Sequence, residues 1–221
     1  MAVNWRSGVT NNKYAGWFPR AMRPVIIPFL FCVVSPGVLA NSFPQDLVAA
    51  ALERTTHTVR YDGSYRTIAY PGGDVPDNIG VCSDVVVRAY RAIGTDLQQL
   101  VHGDMSNHFD LYPSKRIWGL SGPDSNIDHR RVPNLQVFLR RYGTQLPVSD
   151  KASDYKAGEL VTWMLPGNLP HIGIVTDRIA MHTGNPMVVH NIGAGPKLED
   201  MLFEFPVTGH YRYIPGGYEK Q

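Results

Sequence analysis

Four short runs of β-branched and aromatic residues crowd the C-terminal third of this 221-residue chain: Leu160 to Met164, Ile172 to Thr176, Met187 to His190 and His210 to Ile214. Pro, Gly, Asn or Asp bounds each run. Runs this short, punctuated this way, predict an antiparallel sheet joined by hairpins. The segments before them are helical instead. Gln45 to Thr58 places Leu47, Val48, Ala51 and Leu52 on one face. Cys82 to Ile93 repeats the pattern with Val85, Val86, Ala89 and Tyr90 and stops at Gly94. Pro133 to Tyr142 starts on a proline and stops at Gly143. Helices first and strands later is the α+β signature. Tyr65 to Tyr70 is expected as a further short strand, and residues 102–132, rich in Asp, Asn, Ser, Pro and Gly, as a long irregular insertion.

The first forty residues stand apart. They hold Arg6, Lys13, Arg20 and Arg23 and no acid. Arg20 and Arg23 precede the apolar run Pro24 to Val34, Ser35-Pro36-Gly37 breaks it, and Val38-Leu39-Ala40 supplies a small-residue cleavage site. This is the order of an export signal, with removal expected after Ala40. The run is about half of the ~20 residues a spanning helix needs, so no stable membrane span is expected after cleavage. Met22 begins a compact signal by itself, and Phe31 before Cys32 argues against a lipoprotein site. Residues 41–221 are then one domain, expected in the periplasm or outside the cell. Its charge, 17 basic against 19 acidic residues once those four of the 21 are removed, gives no reason to expect nucleic acid as a partner.

Losing Cys32 with the signal leaves Cys82 as the domain's one cysteine, at the expected start of a helix. An unpaired thiol in an oxidising compartment points to a dimer disulfide or a reactive group. A helix N-terminus lowers a thiol's pKa, and its N–H groups can hold an oxyanion. An imidazole has to come from elsewhere. His171 opens one expected strand and His190 closes the next, across a hairpin near Gly184-Asn185, so the two should be neighbours on one sheet edge. That suits a base and the group that orients it. Each residue also has a plainer role: a lone cysteine is commonly a small hydrophobe, and a strand-end histidine is commonly solvated or structural. Their coincidence in an exported chain favours a site.

Gly80-Val81-Cys82-Ser83-Asp84, Gly158-Glu159-Leu160-Val161, His171-Ile172-Gly173-Ile174-Val175 and Val188-Val189-His190 together resemble the NlpC-type papain-like cell-wall peptidases. From Phe43 to Pro215 the chain more closely resembles the YijF-like exported bacterial proteins, a family of unknown function. The first resemblance implies a papain-like fold with Cys82 as nucleophile, His171 as general base and His190 as orienting residue, with Asn191 the substitute for that third place. It also implies a substrate or oxyanion contact for Tyr70 in Tyr70-Pro71-Gly72-Gly73. Val81, Asp84 and Glu159 depart from the family pattern, and Asp84 is expected to tune the thiol, bind substrate or complement the helix dipole. Asp128-His129-Arg130-Arg131 is expected either to line the cleft and bind substrate carboxylates or to form an internal ion-pair cluster.

The expected activity is therefore hydrolysis of amide bonds in peptidoglycan stem peptides or a similar peptide substrate, without a cofactor. An acyltransferase would use the same residues, and a wall-binding module would retain them without catalysis. A zinc peptidase built on His171, Asp177 and His190 or His210 lacks the usual ligand spacing, so no metal is expected.

Overall fold

The computed structural model describes residues 1–3, 16 and 42–216. The expected export signal, with Met22, Cys32 and the expected cleavage site after Ala40, lies outside the described residues. The chain divides into two units at Val38/Leu39, and the fold is that of the second. Among the described residues, no helix is long and apolar enough to cross a membrane.

The fold is α+β. Helix α1 (Phe43–Arg54) starts where the Ser42 N–H donates to the Gln45 side-chain oxygen across the first turn. Strands β1 (Arg60–Tyr61) and β2 (Ile79–Gly80) form a two-residue parallel pair, with Tyr61 opposite Gly80. Helix α2 (Cys82–Ala92) follows directly, then α3 (Leu97–His108), α4 (Ser114–Trp118) and α5 (Val132–Tyr142). The remaining strands are β3 (Thr144–Leu146), β4 (Leu160–Leu165), β5 (Leu169–Ile179), β6 (Pro186–His190), β7 (Lys197–Glu199) and β8 (Val207–Arg212). They form one antiparallel sheet in the order β3-β8-β4-β5-β6-β7.

Strand alternation sorts the sheet into two faces. Leu160, Ile172, Ile174, Val189 and Tyr211 join the helices in the main core with Cys82, Val86, Tyr90, Leu135 and Phe138. Val161, Trp163, Val175 and Val188 face the other way, under Tyr155, Met201 and Leu202. Helix α2 is buried along nearly its whole length, from Cys82 to Tyr90. Its buried Arg88 clamps the incoming loop by donating to the Asp74 carboxylate and to the carbonyls of Val75 and Pro76.

Three expectations are corrected. Tyr65 to Tyr70 is not a strand, and the strand of this region is the shorter Arg60–Tyr61. The 102–132 insertion, expected as irregular, is largely helical, made of the rest of α3, α4 and two 3-10 turns at Phe109–Leu111 and Asp128–Arg130. The apolar face of α3, Leu97, Val101 and Met105, keeps helical spacing but is interrupted by Gln98 and Asp104. Those polar residues are buried yet fully engaged: Gln98 donates to the carbonyls of Ala69 and Ser125, and Asp104 accepts from Arg141, Tyr112 and Tyr142. Finally, β5 begins at Leu169, so His171 is its third residue rather than its first. The strand starts early because Gly167 and Asn168 both take left-handed backbone (φ 82° and 58°), which closes a tight hairpin onto β4.

Candidate functional site

Cys82 is the first residue of α2. Val81 before it has no acceptor side chain, and the Asp84 carboxylate instead accepts from the Val81 N–H at 2.6 Å. The sulfur faces the Ile172 and Ser83 N–H groups and the Tyr61 hydroxyl. These donors favour the thiolate, but burial outweighs them and the nearby Asp84 adds to burial, so the thiol is pushed up to about 11. Burial, then the neighbouring Cys82, likewise pushes the Tyr61 phenol up to about 12. At neutral pH both are protonated. Cys82 opens on a cavity of about 330 Å³, shared with Tyr61, Trp118, Arg130, Arg131 and Pro170.

His171 and His190 meet as their strands require. Residue pairs Ile174–Val189 and Val175–Val188 bring β5 and β6 together, and the two rings stand edge to face with His171 Nε2 and His190 Nδ1 at 3.0 Å. Gly173 makes the approach possible. A Cβ there would lie 2.6 Å from Val188 Cγ1 and 3.0 Å from the Val189 carbonyl oxygen. Both histidines are buried, and burial holds His171 down to about 3, with the neighbouring His190 adding to the effect. Burial also lowers His190, against the pull of Glu199.

Glu199, which the sequence reading missed, lies on β7 with an oxygen 2.8 Å from His190 Nε2. The contact is short but off the line of a hydrogen bond, so Nε2 has no hydrogen-bond partner and the attraction is electrostatic. The tautomers follow from these partners. A carboxylate cannot donate, so His190 Nε2 carries the proton; its bare Nδ1 then accepts from His171 Nε2–H. That leaves the lone pair of His171 on Nδ1, which makes no hydrogen bond among the described residues.

Cys82 and the histidines are near one another along the backbone but not joined. Ile172, whose N–H faces the sulfur, is the next residue after His171. Ile172 packs on the helix side of the sheet, and His171 is one step out of phase, against Trp163 at 5.8 Å between ring centroids. No hydrogen bond links Cys82 to either ring among the described residues.

The other sequence-selected residues divide. Tyr70 is half-exposed and packs against His102, away from the thiol; the tyrosine at the sulfur is Tyr61. Asn191 is buried and donates to the Gly80 carbonyl at 3.5 Å, tying β6 to the strand before Cys82. Asp84 and Arg130 form a buried two-bond ion pair at 2.8 and 2.9 Å, the internal arrangement that was one of the two sequence expectations. Asp128 accepts from the Asp124 N–H and from Asn134, and burial pushes it up to about 6. His129 is buried with Nδ1 unpaired, and burial holds it down to about 4. Arg131 alone of these four lies over an aromatic ring, Trp118, at the cavity. Among the described residues no group of three His, Cys, Asp or Glu side chains could hold a metal ion.

Residues 48–213 match the family described as a domain of unknown function, DUF1287. The chain is also similar to the uncharacterized protein YijF of Escherichia coli (strain K12), with 52% identity over 183 residues, 82% of this chain and 88% of that protein.

Proposed function

The chain belongs to the DUF1287 family, a domain of unknown function, and we propose from its own site that it is a thiol hydrolase of amide bonds with a papain-like arrangement. The observation that carries this reading is the chain Glu199–His190–His171, which leaves a bare imidazole nitrogen one residue from the N–H group that faces the Cys82 sulfur. In this reading His171 Nδ1 takes the thiol proton, the sulfur attacks the amide carbonyl, and the imidazolium returns the proton to the leaving amine. Water activated by the same nitrogen then releases the acid. The Ser83 and Ile172 N–H groups and the Tyr61 hydroxyl are available donors for the oxyanion.

With the thiol at about 11 and the imidazole at about 3, the neutral pair is strongly favoured before substrate arrives. Proton transfer therefore requires more than a shorter distance: His171 has to leave the Trp163 side of the sheet for the side that Cys82 occupies. We assign the substrate to peptidoglycan stem peptides on two supports, the NlpC-like motif order and the export signal in the sequence. An acyltransferase differs only in the acceptor of the acyl group. The neutral, buried thiol favours a second reading, a wall-binding module without catalysis.

Mass spectrometry of muropeptides separates these readings. The wild type is expected to release new fragments from purified wall, and Cys82→Ala to lower that release on the order of 1000-fold or more. Identical product profiles for the two proteins would sink the nucleophile assignment.

A further inference from the structure

Arg130 and Arg131 are adjacent in sequence and line the same cavity, but they are held in opposite ways. Arg130 spends its guanidinium on Asp84 through two bonds, and also donates to the Asp62 carbonyl. Arg131 has one marginal carboxylate contact, to Asp128 at 3.5 Å. Asp128 sits three residues earlier on the same turn and is already engaged by Asp124 and Asn134. The remaining N–H donors of Arg131 make no hydrogen bond among the described residues. Its guanidinium carbon lies over Trp118, 4.1 Å from the ring centroid, a contact that backs the fork without using its donors. Trp118 is held in turn at the end of α4, where Gly119 stops the helix in left-handed backbone (φ 66°).

We infer that Arg131, stacked on Trp118 in the cavity that opens on Cys82, is a subsite for a substrate carboxylate next to the amide to be cleaved. The inference rests on the hydrolase reading for the words "to be cleaved", and on the cavity alone for the carboxylate. A planar fork with free donors matches the two oxygens of a carboxylate, and a primary amide in the same place offers one acceptor and brings donors of its own. The aromatic face beneath the fork keeps the guanidinium partly dehydrated, which strengthens the pairing. Asp128 touches the fork at 3.5 Å and Asp124 acts on it through space, and neither occupies it with a close two-bond pair.

The test uses two synthetic peptides, acetyl-alanyl-γ-glutamyl-alanine amide with its glutamyl carboxylate free and the same peptide with that group as a carboxamide, each in both glutamyl configurations. Calorimetry with full-length Cys82→Ala protein reads binding without turnover. The acid is expected to bind about tenfold or more tighter than the amide. In the Cys82→Ala background, Arg131→Gln is expected to remove the preference, and Arg131→Lys, which keeps charge but not the fork, to retain only part of it. Arg131 caps α5 through its backbone, so these changes leave the helix start in place; thermal melts check that each variant is folded. Equal affinity for acid and amide, binding of neither, or a preference that survives Arg131→Gln would each overturn the subsite. Turnover is scored separately on protein with Cys82 intact. An acid preference in Cys82→Ala without any cleavage by the wild type removes the hydrolase reading and leaves the subsite. Cleavage of both peptides with equal kcat/KM does the reverse.

Discussion

Glu199 touches neither the cavity nor the thiol, yet its charge decides which nitrogen of His171 is bare. Replacing it with Gln keeps the shape and removes the charge, so an imidazolium on the histidine pair loses its nearest counter-ion. The proposed activity of Glu199→Gln is expected to fall about 10- to 100-fold, the usual cost of losing a supporting partner. The acid limb of its pH–rate profile should also move to lower pH, because the carboxylate raises the pair's apparent pKa. Glu199→Asp should recover part of the rate. A limb that stays in place while the rate drops would mark Glu199 as merely structural. None of this was legible in the sequence: Lys197-Leu198-Glu199 is too short and too polar to read as a strand, and only its register against His190 gives the glutamate meaning. Tyr61 was missed for a similar reason. Its place beside Cys82 depends on a two-residue parallel pairing with Gly80 that has no local signal.

The elements show what periodicity can and cannot carry. Strands β4, β5, β6 and β8 and helices α1, α2 and α5 were readable from apolar spacing and turn residues, and so was the meeting of His171 with His190. The part of α3 beyond residue 102 was read as irregular because its buried face includes polar residues such as Gln98 and Asp104, whose partners come from other parts of the chain. The phase of β5 also matters. A sequence can place His171 and Ile172 in one strand, but which of them faces the helices is set by packing. Gly173 is where this layer is least tolerant. An Ala there would press on Val188, the Val189 carbonyl and the His190 Cβ, which lies 3.1 Å from the added carbon. Gly173→Ala is expected to cost about 1–3 kcal/mol in urea unfolding, as overpacked sites do. It should also push β6 and its histidine outward, visible as shifted His190 ring signals in NMR. Wild-type stability with unmoved ring signals would contradict the close β5–β6 contact.

Across the whole molecule, the buried histidines set the response to acid. His171 and His129 have folded pKa values of about 3 and about 4, below the ~6.5 of an unfolded histidine. Between those limits the unfolded chain binds more protons than the folded one, so stability is fully present above pH ~6.5 and is lost as pH falls. At pH 5 each contributes roughly 2 kcal/mol of destabilisation. Asp128 works against them. Its folded pKa, raised to about 6, recovers roughly 1 kcal/mol between pH 7 and 5. The net expectation is a melting temperature that falls from pH 7 to pH 5, and a flatter profile in the His129→Gln/His171→Gln double variant. A wild-type profile that is flat or rises toward pH 5 would show that these rings titrate as if solvated.

The two outer strands of the sheet, β3 and β7, are three residues each. Short borders keep the sheet from recruiting a neighbour's strand. At the β7 border the economy has a second effect, because that strand carries Glu199. The outer member of the histidine chain is thus mounted on a rim that frays at far lower free energy than the packed strands inside it. Each opening of that rim disconnects the carboxylate and, of the main core, lifts away only Leu198 at its margin. The tautomer of His171, which Glu199 sets through His190, is tied to how those three residues are held rather than to the stability of the domain.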